Sequence, residues 1–256
     1  MKFLQKNQKE NYKSSVDFNQ NIPIGSTGKL LSSNYTFKNK NSISSGTAAH
    51  ARRYLNINGY LVIEDLIDPQ PLVELPPQKS GQYNYTKDGL QVSYESIEHQ
   101  VPGSTSRYNY PKYRYYHSQV RLVLEKILNE KLYNTYYFDR FYSAGQRLIR
   151  HKDRPSCEIS VSIQISTNSP NPWPLCIQTP NRDEIGAILK DGWGFLYLGC
   201  QREHWRDQLR SKYSPPRKLF NTLTFKKDDT YHHQIFFHYV RADGEYAHCA
   251  FDRSRE

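Results

Sequence analysis

Apolar and polar residues alternate most regularly in the second half of the chain. Between residues 157 and 165 every second position is apolar, and Glu158, Ser160, Ser162 and Gln164 lie between them. A period of two is that of a β-strand with two different faces. Turn sequences rich in Gly, Pro, Asn and Asp separate further strand-like segments. The predicted strands are residues 134–142, 146–151, 157–166, 174–179, 194–199, 203–209 and 232–240. Together they predict an all-β region, a sandwich or jelly-roll barrel.

Helical periodicity is confined to two segments of the first half. Residues 46–58 are typical of a capped helix that ends near Gly59, and a short strand is predicted to follow at 60–65. Residues 119–132 place Val120, Val123, Leu124, Ile127 and Leu128 on one helical stripe. Residues 76–118 show little periodicity and are predicted to be a long connection, and residues 209–230 to be a solvated basic insertion.

Charge and composition change the picture mainly at the N-terminus. The chain has 256 residues and a net charge of +10, but residues 1–50 hold seven lysines and two acids, so half of the excess is there. We expect residues 1–46 to be a basic, loosely docked arm. Residues 47–256 are expected to form one domain, with its jelly-roll core at about 133–256. A net positive charge can indicate nucleic-acid binding, but half of the excess lies in this arm and not on a folded surface. The charge is therefore weaker evidence for that function.

Targeting signals and cysteine spacing point to a reducing compartment. The sequence contains no apolar run long enough for a transmembrane helix and no secretory signal core. The four cysteines lack zinc-site spacing and are expected to be reduced wall or core residues. We therefore expect a cytoplasmic protein without a membrane partner.

Candidate chemistry lies where the alternating strand begins. His151 and Asp153 are two residues apart, so an extended chain would turn both in one direction. A second histidine would complete a 2-His-1-carboxylate set, which binds one face of an octahedral Fe(II) ion and leaves positions open. His204, which follows the Gly-bounded strand 194–199, is the best candidate.

The ordered context of these residues resembles the 2-oxoglutarate- and Fe(II)-dependent oxygenases. The matching segments are "YYFDRFYSAGQRLIRHKDRPSCEIS", "DGWGFLYLGCQREHWR" and "HHQIFFHYVRADG". The resemblance covers about residues 47–256 and is closest to the prolyl-hydroxylase-like branch and its phage and bacterial relatives. It implies a double-stranded β-helix (jelly roll) buttressed by N-terminal helices. His151, Asp153 and His204 would then be the iron ligands.

The same resemblance implies cofactors and a reaction. Fe(II), 2-oxoglutarate and O2 would be used, ascorbate is a further reductant that it allows, and succinate and CO2 would be released. The primary substrate would be a protein or peptide side chain or an amino-acid-like small molecule. This substrate class is inferred from the analogy of fold alone.

The residue that binds the distal carboxylate of 2-oxoglutarate departs from the family pattern. The family uses Arg or Lys at the start of the last strand, where this chain has about His232. Arg206 shares a strand face with His204 and is the first choice for the anchor, with His232 second. Tyr142 matches a tyrosine that often contacts the cofactor in the branch. Gln234 shares the phase of His232 and is expected to line the pocket.

Other interpretations remain open at this point. The Tyr-rich segment 106–119 is interpreted as a lid over the barrel mouth, or else as a base-stacking surface of a nucleic-acid demethylase. Arg154 is expected to face outward or to pair with Glu158, and a role in substrate binding is a further alternative. A cupin-like binding module without oxidation, and an interaction protein that acts through its basic arm, are alternatives from other classes.

Overall fold

Two β-sheets face each other in the computed structural model, and two α-helices cover the outer side of the larger sheet. The structure describes residues 29–30, 36–38, 45–93, 100–213 and 228–251. The helices are α1 (Ser45–Asn58) and α2 (Arg114–Leu128). The strands are β1 (Lys29–Leu30), β2 (Thr36–Lys38), β3 (Tyr60–Glu64), β4 (Gly81–Thr86), β5 (Gly89–Ser93), β6 (Thr105–Tyr108), β7 (Leu132–Ser143), β8 (Leu148–His151), β9 (Ile159–Thr167), β10 (Leu175–Gln178), β11 (Glu184–Ala187), β12 (Gly194–Tyr197), β13 (His204–Arg206) and β14 (Tyr231–Arg241).

The strand order is that of a jelly roll. The larger sheet runs β2-β3-β12-β9-β14-β7-β6-β4-β5, and the smaller sheet runs β1-β11-β10-β13-β8. Side chains from β7, β12 and β14 meet side chains from β8 and β10 in one buried cluster between the sheets. The mainly β fold with flanking helices, expected from the sequence, is confirmed. Among the described residues, no helix is both long enough and apolar enough to cross a membrane.

Both faces of the central strand β9 are buried, although its sequence alternates. Its apolar face, with Ile159, Val161 and Ile163, packs with side chains of α1 and α2. Its polar face, with Ser160, Ser162 and Gln164, lies beside the inward-facing residues of β14 and β12, the neighbouring strands in the same sheet. The polar half of the alternation therefore lines the barrel interior instead of solvent. A polar barrel interior is suited to polar ligands.

The predicted elements are largely confirmed after residue 132 and less well before it. Each of the seven predicted strands overlaps an observed strand, and helix 46–58 and strand 60–65 are present. The second helix begins at Arg114, five residues before the predicted range, and ends at Leu128, so the range 119–132 was wrong at both ends. Asn129 closes it in the left-handed conformation (φ 59°).

Two segments without clear periodicity form strands. The connection predicted for residues 76–118 contains β4, β5 and β6, and the turn-like sequence at 184–187 forms β11. Parts of the expected N-terminal arm join the sheets: β1 pairs with β11 and β2 with β3, both in parallel. Most of the insertion predicted at 209–230, residues 214–227, lies outside the described residues.

Candidate metal centre

Three side chains meet at one end of the barrel. His151 ends β8, His204 begins β13, and the two are direct partners across this antiparallel pair. Asp153 follows β8 by two residues. Its Oδ1 lies 3.4 Å from His151 Nε2 and 3.5 Å from His204 Nε2. One ligand atom from each residue lies within 4.8 Å of the others. The sheet thus brings together the three residues that the sequence singled out as metal ligands.

Backbone contacts orient both imidazoles. The Nδ1–H of His151 donates to the Ile149 carbonyl (2.7 Å), and that of His204 donates to the Arg202 carbonyl (3.1 Å). These hydrogen bonds orient each ring so that its Nε2 atom faces Asp153. Hydrogen bonds of this kind are typical of metal-binding histidines, because they fix the ring and raise its basicity.

Asp153 is held by its own set of contacts. Its Oδ2 accepts a hydrogen bond from the Ser160 hydroxyl (3.0 Å), which leaves Oδ1 towards the histidines. Its backbone N–H donates to the Gly199 carbonyl (3.0 Å). A Cβ at position 199 would clash with Asp153 Oδ2, the Cys157 carbonyl and Ser160 Oγ. Only glycine lets the chain before β13 approach the carboxylate this closely.

The site favours a charged carboxylate beside neutral imidazole. Burial by itself raises the pKa of Asp153, but His204, His151 and His238 more than offset this, and its pKa lies well below the ordinary value. Burial lowers the pKa of His204, and the neighbouring His151 acts in the same direction, against Asp153. A carboxylate and two neutral imidazoles are the forms that bind a divalent metal ion.

A small cavity opens beside these three residues. Its volume is about 200 Å³, and aromatic side chains of β6, β7 and β14 form one wall. The rings of Tyr108, Phe138 and Phe236 stack in series, with centroids 4.8 and 4.6 Å apart. The charged residues that line the cavity are Arg140, Lys152, Asp153 and Arg154.

A second polar cluster lies deeper in the barrel. Arg206 is 2% exposed, its guanidinium lies 4.4 Å from the Trp173 ring centroid, and it donates to the Trp173 carbonyl. His232 packs against the same ring at 4.9 Å, and so does Tyr142, also at 4.9 Å. Burial lowers the pKa of Arg206 to about 10, and burial together with the Arg206 charge lowers that of His232 well below its ordinary value.

Several polar atoms of this deep cluster lack a partner among the described residues. They are Arg206 Nε, His232 Nε2 and both amide atoms of Gln234. A buried polar atom without a hydrogen bond costs about 1–3 kcal/mol, so such a cluster is unusual in a folded protein. The orphaned atoms fit a polar ligand bound inside the barrel.

Known structures share this architecture at low sequence identity. HygX from Streptomyces hygroscopicus, with nickel, 2-oxoglutarate and hygromycin B bound, matches with a TM-score of 0.50 and 9% identity, over 74% of this chain and 86% of that one. The epimerase SnoN, in complex with Fe3+, alpha ketoglutarate and nogalamycin RO, also has a TM-score of 0.50, at 8% identity, over 78% of this chain and 85% of that one. This chain has the fold of the 2-oxoglutarate- and Fe(II)-dependent oxygenases. No family model matches the sequence, and no curated protein is similar to it at a significant level.

The residues present fit the two cofactors of oxygenases with this fold. Two imidazoles and one carboxylate are the donor set of a facial Fe(II) site. The deep cluster offers a guanidinium and amide with orphaned polar atoms, which suit a carboxylate. The four residues expected to contact 2-oxoglutarate divide between strands: Tyr142 on β7, Arg206 on β13, and His232 and Gln234 on β14.

Two expectations about basic and aromatic residues were wrong. Arg154 does not face outward: it lines the cavity, with its guanidinium 4.6 Å from the Tyr136 ring centroid, while Glu158 forms an ion pair with Arg241. The helical turn at Pro155–Cys157 separates Arg154 from β9, which the alternation alone could not indicate.

The Tyr-rich segment 106–119 is also not a lid. Tyr108 and Tyr113 are among the largest fully buried side chains, because the segment contributes β6 and the beginning of α2.

Arg140 is a cavity residue that sequence reasoning missed. It lies on the inward face of β7, two residues before Tyr142, and contacts Ser106 Oγ and the Tyr142 hydroxyl at 3.3 Å each. The signal was available, since Tyr142 was expected in the pocket and residues two apart share a strand face.

Proposed function

We propose that this chain is a 2-oxoglutarate-dependent Fe(II) dioxygenase that hydroxylates a protein or peptide side chain or an amino-acid-like molecule. The observation that carries the proposal is the convergence of His151, Asp153 and His204 at the mouth of a jelly roll. When bound, Fe(II) with 2-oxoglutarate supplies the activation of O2, with release of succinate and CO2.

The protein's own part in such a reaction is to bind, orient and exclude water. His151, Asp153 and His204 would hold the metal ion, and the Ser160 hydroxyl and Gly199 backbone would keep Asp153 in place. The wall of stacked rings around Phe138 would keep water from the reacting atoms. The small cavity would admit one substrate group at a time.

We further propose Arg206 as the anchor of the distal carboxylate. It is fully buried on the same strand as His204, and its Nε lacks a partner among the described residues. His232 is the second choice, because its pKa is lowered and it would contribute a neutral hydrogen bond instead of a charge. Tyr142 and Gln234 complete the polar surroundings.

Arg140 offers an internal alternative for the same role. It lines the cavity directly, and its guanidinium contacts the Ser106 and Tyr142 hydroxyls, each at the long distance of 3.3 Å. Arg206 is favoured because a carboxylate bound there would also reach the orphaned His232 Nε2, whose ring packs on the same Trp173 side chain.

An anaerobic titration with Fe(II) and then 2-oxoglutarate tests both proposals. The expected result is the weak visible charge-transfer band of the iron chelate in the wild type, and its loss in His204→Ala. His248→Ala, which changes an exposed histidine outside the site, is the control and should keep the band. Arg206→Ala should require much more 2-oxoglutarate, and Arg140→Ala should not.

Two results would contradict these proposals. If wild-type protein shows no band and calorimetry detects no 2-oxoglutarate binding, the oxygenase proposal falls, and a cupin-like binding module becomes the better description. If Arg140→Ala weakens 2-oxoglutarate and Arg206→Ala does not, the anchor is Arg140.

A further inference from the structure

A second group of metal-binding side chains lines the same cavity as the candidate iron ligands. Asp153, Cys157 and His238 each place one ligand atom within 4.8 Å of the other two. All three line the cavity of about 200 Å³ beside His151 and His204. Cys157 is 2% exposed and His238 is 3% exposed, so both side chains face the interior. A metal ion that reaches the candidate iron ligands would also reach this group.

Two separate segments of the chain bring these side chains together. Cys157 ends the helical turn that follows Asp153, and His238 lies on β14 directly opposite Ser160 of β9. The Ser160 hydroxyl donates to Asp153 Oδ2 (3.0 Å) and lies 3.0 Å from His238 Nδ1. Asp153 Oδ2 is thus on the side of His238, whereas Oδ1 is on the side of the two candidate iron ligands. Because His238 comes from a distant strand, cysteine spacing in the sequence does not indicate this group.

The surroundings of Cys157 suit a metal-bound thiolate. The Tyr136 hydroxyl lies 3.1 Å from its Sγ and would donate its O–H to a thiolate. The Arg154 guanidinium, 4.6 Å from the centroid of the Tyr136 ring, favours negative charge on the sulfur. Burial raises the pKa of the Cys157 thiol and Asp153 acts in the same direction, so without a metal ion the thiol keeps its proton. A metal ion that binds Cys157 displaces this proton, which passes to solvent as the metal–sulfur bond forms.

We propose that Asp153, Cys157 and His238 form a second metal site, which binds one zinc ion in place of iron. Thiolate, imidazole and carboxylate are all zinc ligands, and three protein ligands leave the fourth tetrahedral position to water. Zinc bonds of about 2.3 Å to sulfur and about 2.0 Å to nitrogen and oxygen set the ligand atoms about 3.5 Å apart. Small side-chain rotations would close the present separations of up to 4.8 Å to that value. The thiolate selects zinc over hard ions such as Mg²⁺ and Ca²⁺.

The zinc site and the candidate iron site are alternatives, because they share Asp153. Two divalent ions in this small cavity would lie beside each other and beside Arg140, Lys152 and Arg154, which also line it. Their positive charge would exceed that of one carboxylate and one thiolate, and like charges repel strongly at short range in a buried site. Zinc bound on the Cys157 side would therefore keep Asp153 from iron. Zinc binding itself does not depend on the proposed oxygenase reaction.

Cobalt(II) binding to the full-length protein tests the site, because a thiolate ligand gives cobalt an intense near-ultraviolet charge-transfer band. Without oxygen and 2-oxoglutarate, wild type should show this band. His151→Ala should show a stronger band, since it removes a ligand of the competing site only. Cys157→Ser should lose the band, and His238→Phe, which keeps a ring at this position, should weaken cobalt binding at least about tenfold. Cys200→Ser is the matched control and should keep the band, because Cys200 lies outside the group and contacts the Arg154 carbonyl (3.1 Å).

X-ray absorption of wild-type protein loaded with one equivalent of zinc is a second measurement, which needs no variant. We expect one sulfur neighbour at about 2.3 Å from zinc. A zinc ion without a sulfur neighbour, a wild type without the cobalt–sulfur band, or a full band in Cys157→Ser would overturn the proposal. Failure of the proposed function is separate, because it would appear as a missing Fe(II)–2-oxoglutarate band in protein that still forms the cobalt–sulfur band. The reverse pattern would overturn the zinc site alone.

Discussion

Single residues without charge decide how the metal ligands are arranged. Gly199 lets its own backbone approach Asp153, and the Ser160 hydroxyl takes one carboxylate oxygen. Neither residue belongs to the candidate metal-ligand group, yet both determine which oxygen of Asp153 faces His151 and His204.

Gly199→Ala should therefore weaken metal binding. The added methyl group would meet Asp153 Oδ2, the Cys157 carbonyl and Ser160 Oγ, and at least one of them must move. Since changes around metal ligands cost about 10–100-fold in affinity, we expect a loss of that order for Fe(II) or Co(II). Gly46→Ala, at a helical glycine with nothing within 4 Å, is the matched control and should leave the affinity unchanged. Unchanged affinity in Gly199→Ala would mean that Asp153 does not bind the metal through this arrangement.

Arg206→Met should separate stability from cofactor binding. Arg206 is buried with an orphaned Nε, and an apolar side chain of similar length removes the cost of that unsatisfied donor, about 1–3 kcal/mol, which offsets the lost hydrogen bond to the Trp173 carbonyl. In urea unfolding without ligands, the free energy of unfolding should hold or rise. At 2-oxoglutarate about a hundredfold above its Kd, wild type with anaerobic Fe(II) should gain about 2.7 kcal/mol, and the variant should not. Arg140→Met is the control, and loss of the gain there instead would reassign the anchor.

At the scale of elements, a buried ion network holds β6, β7 and β14 together behind the site. Asp139 is fully buried and accepts hydrogen bonds from Arg107, from His233 Nε2 (2.9 Å) and from the Tyr113 hydroxyl (2.5 Å). His233 and Asp139 lie on the opposite strand faces from their neighbours His232 and Arg140. The network therefore fixes the register of the two strands that carry part of the candidate cofactor site.

Asp139→Asn should destabilise the fold by about 3 kcal/mol, the lower end of the range for breaking a buried ion pair, because the buried Arg107 cation loses one of its two carboxylate partners and keeps only Glu74. The pH dependence should change as well. Burial raises the pKa of Asp139, but His233 and Arg107 more than offset this and lower it. The stability that the Asp139 carboxylate contributes is present above the pKa of an aspartate in the unfolded chain, about 3.9. It is lost as the pH falls through the lower pKa of Asp139 in the folded protein.

Urea unfolding of both proteins between neutral and acid pH is the measurement. Wild type should lose more stability on acidification than Asp139→Asn. Asp88→Asn, an exposed aspartate at the hairpin turn, provides the comparison and should follow wild type. Parallel pH curves for wild type and Asp139→Asn would show that the carboxylate is not stabilised by these partners.

The elements also show where sequence patterns suffice. A period of two predicted β9, since its alternation is visible without tertiary contacts. The pattern could not predict β11, whose sequence "EIGA" is too short and mixed. Nor could it indicate that the polar face of β9 is internal, because that depends on the second sheet.

At the scale of the whole molecule, the convergence of the three candidate metal ligands was predictable, and the residues around them were less so. His151 and Asp153 are close in sequence, and the order of strands supplied His204. Arg206 was chosen from its spacing to His204, and its role as the anchor stays a prediction. Arg140 was overlooked although its spacing to Tyr142 was visible, whereas the position of Arg154 depends on a contact with Tyr136 in another segment. Distance along the chain therefore limits what a pattern can tell about a cavity.

The N-terminal segment gives the last prediction, because it tests where the domain begins. The sequence placed a loosely docked arm at 1–46, but β1 adds to β11 at the edge of the smaller sheet and β2 adds to β3 in the larger one. Deletion of residues 1–44 would remove both strands and expose the edge of β3, whose residues are all buried. We expect a lower free energy of unfolding and a greater tendency to aggregate, since an exposed strand edge is a site for intermolecular pairing. Metal binding should persist, because His151 and His204 lie on β8 and β13, at the far end of the smaller sheet from β1. Deletion of residues 1–28 keeps both strands and is the control. If the longer deletion is as stable as the shorter one, in urea unfolding followed by light scattering, the domain begins at α1 as the sequence indicated.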